Sequence, residues 1–505
     1  MKSPSSLRPF FISAVFFILY ALTAQRGVSW QDSGVYQLRI VYRDLCGVAG
    51  LSSAHPLYIG AAHFFAGILG RVFSIEAPQA ANLMSAFWAA AALGVFHAAA
   101  RRFSKSAAAA TAATVTLGLA HMTWWLATIA ESYTMSLCLI ACETLCVLRL
   151  LENKTTVQVA TGALGAALFA GAGFSVHNLS LLSLPLTGAV LFYAIFVREV
   201  SGLGKGSLLN RVFYGGIALY VLVFAWGTGA NFVLKLMNDE INAGIPDGSA
   251  VCNLLFGHYA PEVLGLSRIP FKLTLANLAL AALSFASPCF LVALIDLPRR
   301  FRAFKLRRLS PSSIYVLALF IVHAAFFLHY RIADQAMFVL PTLFFAALLL
   351  SKLLARRTGL RLLAVATAAC SILLPVAANA VLHVPAAQTR ILAARTRLLP
   401  FRDEIRYWIL PWKHDECSAE NFARKAIAQM DESCGVLYAD TTSAPPIQLR
   451  FAEREKDWKL FTPWNDVSGF SAAAKAGHNA FAVSPVPGYC PPEALDTGHV
   501  KRLFE

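Results

Sequence analysis

Two carboxylate residues lie in short polar stretches that interrupt an otherwise apolar chain. Asp32 belongs to "VSWQDSGVY", which directly follows the apolar run "FFISAVFFILYALTA", and Glu131 belongs to "TWWLATIAESY". A carboxylate can accept a proton from a hydroxyl group within hydrogen-bond reach, and carboxylate oxygens also bind hard cations. Because ionisable residues at membrane depth are costly, Asp32 and Glu131 are candidate functional residues.

Further polar residues occupy similar positions between apolar runs. His177 lies on a polar turn, where a structural role remains an alternative, and Arg331 can pair with Asp334 three residues later along a helix. The candidate binding residues are His55, Tyr133, His177, Asn178, His329, Tyr330, Arg331 and Asp334.

The carboxylates and tryptophans also have structural interpretations, which stay open. Asp32 can cap a helix that starts near Val35, since Asp is a favoured N-cap residue. Glu131 can pair with a Lys or Arg at the membrane interface. Trp124 and Trp125 are typical of an aromatic belt at the membrane surface.

The composition predicts a polytopic membrane protein. The chain of 505 residues is 57% hydrophobic and only 14% charged, with a mean hydropathy of +0.58. Its apolar blocks of roughly 18 to 25 residues have the length of membrane-spanning helices. Residues 1–382 carry 28 basic and 13 acidic side chains, whereas residues 383–505 carry 15 of each. This distribution favours membrane orientation over nucleic-acid binding.

The basic clusters predict which loops face the cytoplasm. We expect about eleven spans of membrane length, a cytoplasmic N-terminus and an extracytoplasmic C-terminal domain. The segment 56–73 is apolar but contains His63 and Arg71, so we expect it to lie in the outer leaflet. The predicted spans are 10–25, 78–100, 106–123, 132–150, 156–176, 178–197, 213–234, 271–297, 312–329, 337–355 and 361–382.

The fold class expected for the whole chain is mainly α, a transmembrane helical bundle with a small α/β domain. The domain boundary lies near residue 383, because the sequence becomes soluble in character there. The stretch "AENFARKAIAQMDESCGVLYADT" is typical of an amphipathic helix followed by a turn and a strand. Residues 1–382 form the predicted membrane module, and residues 383–505 form the predicted extracytoplasmic domain.

Five stretches within about residues 10–190 combine polar residues with apolar runs: "VSWQDSGVY", "AHPLYIGAAHFFAGIL", "NLMSAFWAAAALGVF", "WWLATIAESYTMSL" and "GFSVHNLSLLSLP". In this order they resemble the GT-C-type membrane glycosyltransferases, a family that includes protein O-mannosyltransferase-like members. The chain differs from the family's pattern at two points: the family's Glu after Gly is Val35, and the His-Pro-Pro stretch is shortened at His55 and Pro56.

The resemblance implies a sugar transfer from a polyprenyl-phosphate carrier at the extracytoplasmic face. Asp32 would act as the base or orient the acceptor hydroxyl group. Glu131 would orient the acceptor, or hold a divalent cation such as Mg²⁺ or Mn²⁺ together with Asp32. Arg331, helped by His329 or Tyr330, would bind the lipid phosphate through charge-assisted hydrogen bonds.

The implied acceptor is a protein, a glycan or a lipid, and the expected location is a bacterial inner membrane. Two other function classes remain. A transporter or lipid flippase predicts charged residues near the middle of the membrane and broken helices in paired halves. A non-catalytic scaffold predicts that Asp32 and Glu131 can be replaced without loss.

Overall fold

The computed structural model describes most of the chain in twelve stretches. They are residues 7–45, 55–152, 156–193, 270–302, 309–394, 398–429, 435–440, 442–451, 458–462, 467–476, 479–483 and 500–503. The predicted span 213–234 lies outside the described residues.

All described secondary-structure elements before residue 383 are helices. Its helices are α1 (Arg8–Thr23), α2 (Gln31–Tyr42), α3 (Pro56–Phe73), α4 (Ala77–Ser104), α5 (Ala107–Gly118), α6 (His121–Leu126), α7 (Tyr133–Glu152), α8 (Thr156–Val176), α9 (Leu184–Phe192), α10 (Phe271–Leu283), α11 (Pro288–Arg302), α12 (Pro311–His329), α13 (Val339–Leu354) and α14 (Leu360–Leu382). Short 3₁₀ helices, Asn178–Leu182 and Gln335–Phe338, precede α9 and α13.

Six described helices are long and apolar enough to cross a membrane, and a bent pair makes up to seven. The six are Pro56–Phe73, Ala77–Ser104, Tyr133–Glu152, Pro311–His329, Gln335–Leu354 and Leu360–Leu382. The α3 helix has the bounds expected for the outer-leaflet helix, and whether it spans the membrane or lies in one leaflet stays a prediction. The count of eleven spans is not confirmed.

Two predicted spans are broken in the structure. The span 271–297 bends by 94° between α10 and α11. Ser287 accepts a hydrogen bond from the Phe290 amide (3.3 Å), and Pro288 opens α11, a position that suits a residue without an N–H group. The span 106–123 ends early, because α5 stops at Gly118 and α6 begins at His121.

Small residues let the N-terminal helices approach each other closely. The Tyr20 hydroxyl donates to the Gly118 carbonyl oxygen at 2.6 Å, so α1 packs on the end of α5. A Cβ atom on Gly118 would lie 2.4 Å from Cε1 of Phe16. Small residues at helix interfaces are the usual solution in membranes, where lipid gives no hydrophobic drive for association.

The C-terminal part is built on a four-stranded parallel sheet in the order β2-β1-β3-β4. Its elements are α15 (Pro385–Ala394), α16 (Glu404–Ile409), α17 (Ser418–Ala428), β1 (Gly435–Ala439), α18 (Ala444–Arg450), β2 (Trp458–Phe461), α19 (Val467–Lys475), β3 (Asn479–Val483) and β4 (Val500–Leu503). The domain boundary at residue 383 and the extracytoplasmic location stay predictions.

Alternate residues of the strands form two separate cores, as expected for a sheet covered on both faces. Leu437 of β1 packs in a cluster with α17 and α18, whereas Tyr438 packs in a cluster with α19. Val28 and Trp30, from the loop between α1 and α2, belong to the first of these clusters. The loop that precedes Asp32 is therefore part of the core of the C-terminal region.

We expect Gly118→Ala to destabilise the protein by about 1–3 kcal/mol, because the new methyl group overpacks the contact with Phe16. Thermal unfolding in detergent micelles measures the change. Gly67→Ala is the matched control, because Gly67 lies in α3 with nothing within 4 Å of an added Cβ. Equal melting temperatures for the two variants would contradict the close approach.

Candidate functional site

Asp32 lies in the first turn of α2, which begins at Gln31. The capping alternative, in which a helix starts near Val35, is therefore wrong. A turn at residues 24–30 precedes α2, and Gly34 permits it, because a Cβ there would lie 2.3 Å from the Ser29 carbonyl oxygen. Asp32 is an exposed carboxylate near the positive end of a helix.

A buried network of amide side chains holds the turn before Asp32. The Ser29 amide donates to Oε1 of Gln37 at 2.8 Å, and the Ser29 hydroxyl donates to Oε1 of Gln25 at 2.9 Å. Asn82 of α4 donates to the Gln25 carbonyl oxygen at 2.8 Å and accepts from Gln37 at 3.2 Å. The sequence reasoning missed these residues, although Asn82 lies in one of the five resembling stretches.

Glu131 faces the start of α2 from the loop before α7. Its residue exposure is only 3%. The Ser33 hydroxyl donates to Oε1 of Glu131 at 2.9 Å, and the Glu131 amide donates to the Ser85 hydroxyl at 3.1 Å. No Lys or Arg of the described residues forms an ion pair with Glu131, so the interface-pair alternative is wrong for this part of the chain.

The two carboxylates differ in their environment. Burial raises the pKa of Glu131 well above its usual value, and the charges of Asp32 and Asp334 raise it further, while the Ser33 hydrogen bond lowers it. Burial therefore favours the neutral form of Glu131, whereas Asp32 beside it is exposed. Two carboxyl groups in different environments can take different roles in one reaction.

Aromatic and imidazole rings surround this pair. Tyr36 contacts His55 with ring centroids 5.6 Å apart, and His55 contacts His177 at 5.4 Å. Tyr133 lies 4.8 Å from His177 and 5.5 Å from Phe338. His55, Tyr133 and His177, each predicted as a binding residue, are thus brought together beside the carboxylates.

The two histidines are fixed by hydrogen bonds to the backbone. His55 donates from Nδ1 to the Val176 carbonyl oxygen at 2.6 Å, and the Leu179 amide donates to Nδ1 of His177 at 3.1 Å. Burial lowers the pKa of His177 to about 4, so its imidazole is neutral. Asn178 opens the 3₁₀ helix that His177 caps, and it is half-buried.

The predicted group at residues 329–334 divides into two parts. Tyr330 is buried, with its ring 4.9 Å from Phe338, and the charge of Asp334 acts on Glu131. His329 and Arg331 are exposed. Arg331 follows the end of α12 and is not helical, so the predicted helix from Arg331 to Asp334 is wrong, while the pairing of the two residues stays a prediction.

Trp124 and Trp125 do not form a belt exposed to the membrane surface. They are only 3% and 1% exposed, because the C-terminal region covers them. Trp125 stacks on Trp408 at 5.2 Å, and Trp124 contacts Trp412 at 5.6 Å. The prediction of an aromatic belt is wrong for this pair.

The residues of the site do not form a protein-only metal centre. No group of three or more His, Cys, Asp or Glu side chains suited to a metal ion occurs within the stretches that the structure describes. Asp32 and Glu131 alone leave most positions of an oxygen-bound cation to water or substrate. Binding of Mg²⁺ or Mn²⁺ by this pair stays a prediction, and no step below depends on it.

The fold of the chain is the GT-C fold. The chain is similar to the crystal structure of ArnT from Cupriavidus metallidurans bound to undecaprenyl phosphate, with a TM-score of 0.58 and 13% sequence identity over 95% of this chain and 92% of that chain. The structure of the same protein in the apo state gives a TM-score of 0.55 and 15% identity, over 94% and 92% of the two chains.

At this identity the likeness shows the fold alone. No protein-family profile matches the chain, and no curated protein matches it in sequence. The similar structures are of ArnT and support the GT-C fold, without bearing on the O-mannosyltransferase-like branch of the family.

We expect the free energy of unfolding to fall with rising pH because of Glu131. A carboxyl group with a raised pKa binds more protons in the folded state, so its contribution is present at low pH and is lost as pH rises from the ordinary value of about 4.3 through the folded value. Glu131→Gln keeps a neutral group of similar shape and should lose less stability over this range.

Melting temperatures of wild type and Glu131→Gln, measured from about pH 5 to about pH 9, check this expectation. Glu76→Gln is the control, because Glu76 is 62% exposed at its side chain and pairs with Arg450. A wild-type curve that parallels the Glu131→Gln curve would show that Glu131 is charged in the folded protein.

Proposed function

We propose that this protein is a membrane glycosyltransferase that moves a sugar from a polyprenyl-phosphate carrier to an acceptor hydroxyl group. The observation that carries the proposal is the juxtaposition, in a GT-C fold, of an exposed carboxylate, Asp32, with a buried one, Glu131, whose pKa is raised by burial. The fold alone leaves the chemistry open, so the argument depends on this pair.

Asp32 has the properties of the base. In the proposed reaction the acceptor hydroxyl oxygen attacks the anomeric carbon of the donor, and the bond from that carbon to the phosphate oxygen breaks. The hydroxyl proton passes to Asp32, and the electron pair leaves with the lipid phosphate. Glu131, which is buried and accepts a hydrogen bond from Ser33, can orient the acceptor through hydrogen bonds.

The ring cluster supports a sugar as the transferred group. Tyr36, Tyr133 and His177 present flat apolar faces together with hydrogen-bonding atoms, and a ligand site commonly combines such surfaces with a few polar groups. A neutral His177 can donate or accept a hydrogen bond without attracting an anion. Asn178, beside it, adds an amide group.

Arg331 is the proposed binding residue for the donor's lipid phosphate, because its side chain is positively charged. The similar ArnT structure contains undecaprenyl phosphate, which supports a polyprenyl-phosphate donor here. Arg331 and His329 are exposed beside the buried Tyr330, where a guanidinium group can form strong hydrogen bonds to phosphate oxygens. Their place at the end of a membrane helix suits a ligand whose tail stays in lipid.

The acceptor, the face of the membrane and the cellular location are also proposed. We place the reaction at the extracytoplasmic face, with a protein, glycan or lipid acceptor, and the protein in a bacterial inner membrane. The distribution of basic residues before residue 383 supports this orientation. Similarity to O-mannosyltransferase-like members remains a prediction from the five sequence stretches.

Transport is the second candidate, since a buried carboxylate lies inside a helix of the bundle. Glu143 of α7 accepts hydrogen bonds from Thr187 at 2.5 Å and from Ser183 at 2.9 Å. The bend between α10 and α11 breaks a predicted span, and transporters often use broken helices of this kind. However, Glu143 is satisfied by its neighbours, which suits a structural role better than a transport path.

We expect Asp32→Asn to reduce sugar transfer by about 100-fold or more, since a general base contributes about 100- to 10,000-fold. The purified protein is assayed with a panel of polyprenyl-phospho-sugars, measuring both transfer and donor hydrolysis. Asp415→Asn is the control, because Asp415 forms an exposed pair with Arg406. Equal activity of wild type and Asp32→Asn, with both proteins folded, would exclude Asp32 as the base, whereas no activity of wild type with any donor would favour the scaffold or the transporter.

We expect Arg331→Gln to raise the KM for the lipid donor by about 10-fold or more, in line with the loss of about 1.5–3 kcal/mol from a charged hydrogen bond. The kcat should change little if the phosphate contact is the same in ground and transition states. Arg361→Gln is the control, because Arg361 is exposed near the start of α14. An unchanged KM would move the phosphate site elsewhere.

A further inference from the structure

A segment of the C-terminal region, residues 398–413, crosses both loops that carry the candidate carboxylates. On one side Nη1 of Arg402 donates to Oε1 of Gln31, next to Asp32, at 3.3 Å. On the other side Nε1 of Trp125 donates to the Tyr407 carbonyl oxygen at 3.0 Å, and the Thr128 hydroxyl lies 3.0 Å from the Pro411 carbonyl oxygen. This segment therefore contacts the chain immediately before Asp32 and shortly before Glu131.

Arg402 is held rigidly for its contact with Gln31. Its guanidinium group forms a two-point pair with Glu404, at 2.8 Å and 3.0 Å, and the side chains are only 2% and 3% exposed. The group also lies 4.3 Å above the centre of the Tyr407 ring. A paired guanidinium in this setting has little freedom, since its fork fixes the direction of every N–H group.

Tyr407 connects Arg402 to the other loop. Its ring packs edge-on against Trp125 with centroids 5.6 Å apart. The backbone nearby is tied as well, because the Lys413 amide donates to the Thr23 carbonyl oxygen at 2.7 Å. The position of Arg402 is thus set by the helices that lead to both carboxylates.

Gln31 adopts a strained backbone conformation at the point where Arg402 contacts it. Its φ is 56°, in the left-handed region that residues with a Cβ rarely adopt. Such a conformation persists only when the surrounding structure holds it, and it often marks a functional site. Gln31 is the first residue of α2, so its backbone sets the direction in which Asp32 leaves the turn.

We propose that Arg402 is a positioning residue for the reaction, which fixes Asp32 through the side chain of Gln31 while Glu404 fixes Arg402. The inference rests on the proposed function for its effect on catalysis. The contact itself does not depend on which sugar is transferred. The C-terminal region is then a part of the active site and not only a cover over it.

Gln31→Gly is the main test, because Gly adopts positive φ without strain and the variant should fold. It removes the acceptor for Arg402 and leaves the Arg402–Glu404 pair intact. We expect kcat for sugar transfer to fall by about 10- to 100-fold, since a misplacement of about 1 Å can reduce a rate by about 100-fold. The KM for the lipid donor should change by less than about twofold, because positioning acts on the transition state.

A double variant, Arg402→Met with Glu404→Leu, tests the other partner of the contact. It replaces a buried ion pair by apolar residues, which is often tolerated, whereas removing Arg402 alone leaves a buried charge. It should reproduce the kcat loss of Gln31→Gly. Arg424→Met is the control, because Arg424 is 71% exposed in a pair with Glu420.

Amide hydrogen exchange at residues 31–36 gives a second readout that needs no turnover. Both test variants should exchange faster there than wild type and than Arg424→Met. An unchanged kcat, a change in KM alone or unchanged exchange would each overturn the inference. If the wild type transfers no sugar, the proposed function fails, and the exchange experiment still decides whether Arg402 holds the start of α2.

Discussion

The hydrogen bond from Ser33 to Glu131 joins the two parts of the chain on which the site depends. It can form only because Gly34 lets α2 begin directly against the turn at Ser29. It also shields a carboxyl group that burial would otherwise leave without a partner. Burial favours the neutral form of Glu131, whereas Asp32, at the start of α2, is exposed. The network of Gln25, Gln37 and Asn82 then serves to hold that turn in place.

The C-terminal region covers the site and also holds its loops in place. Trp30 enters the core beneath the parallel sheet, where its ring lies 4.7 Å from Phe422, and its Nε1 donates to Ser418. Trp125 is buried by Trp408 from the other direction. Apolar burial of these large rings is worth roughly 1.5–3 kcal/mol each or more. The loop before Asp32 therefore cannot move without disturbing the sheet.

Sequence reasoning found the carboxylates and the rings because each is a polar exception inside an apolar pattern. Their shared position at one end of the spans predicts that they lie close together. The structure does bring together Asp32, Glu131, His55, Tyr133 and His177. The contact of Arg402 with Gln31 could not be found in this way, since the two residues are 371 positions apart and no local pattern connects them. Sequence reasoning missed the breaks at Gly118 and Pro288, because the hydropathy averaged over a whole span changes little when a few of its residues are not apolar. Trp124 and Trp125 were wrongly predicted at the membrane surface, because tryptophan is favoured both at a membrane interface and in buried contacts.

The departure at Val35 becomes understandable from the electrostatics of this site. The GT-C-type pattern that the sequence resembles has Glu at this position, whereas this chain has Val35, which is 8% exposed in α2. A carboxylate there would lie one helical turn after Asp32 and would be buried, so burial and the charge of Asp32 would both raise its pKa. The added carboxyl group would then draw a proton or a cation. An apolar Val35 keeps the negative charge of α2 on Asp32 alone, which is the state that a base at neutral pH requires.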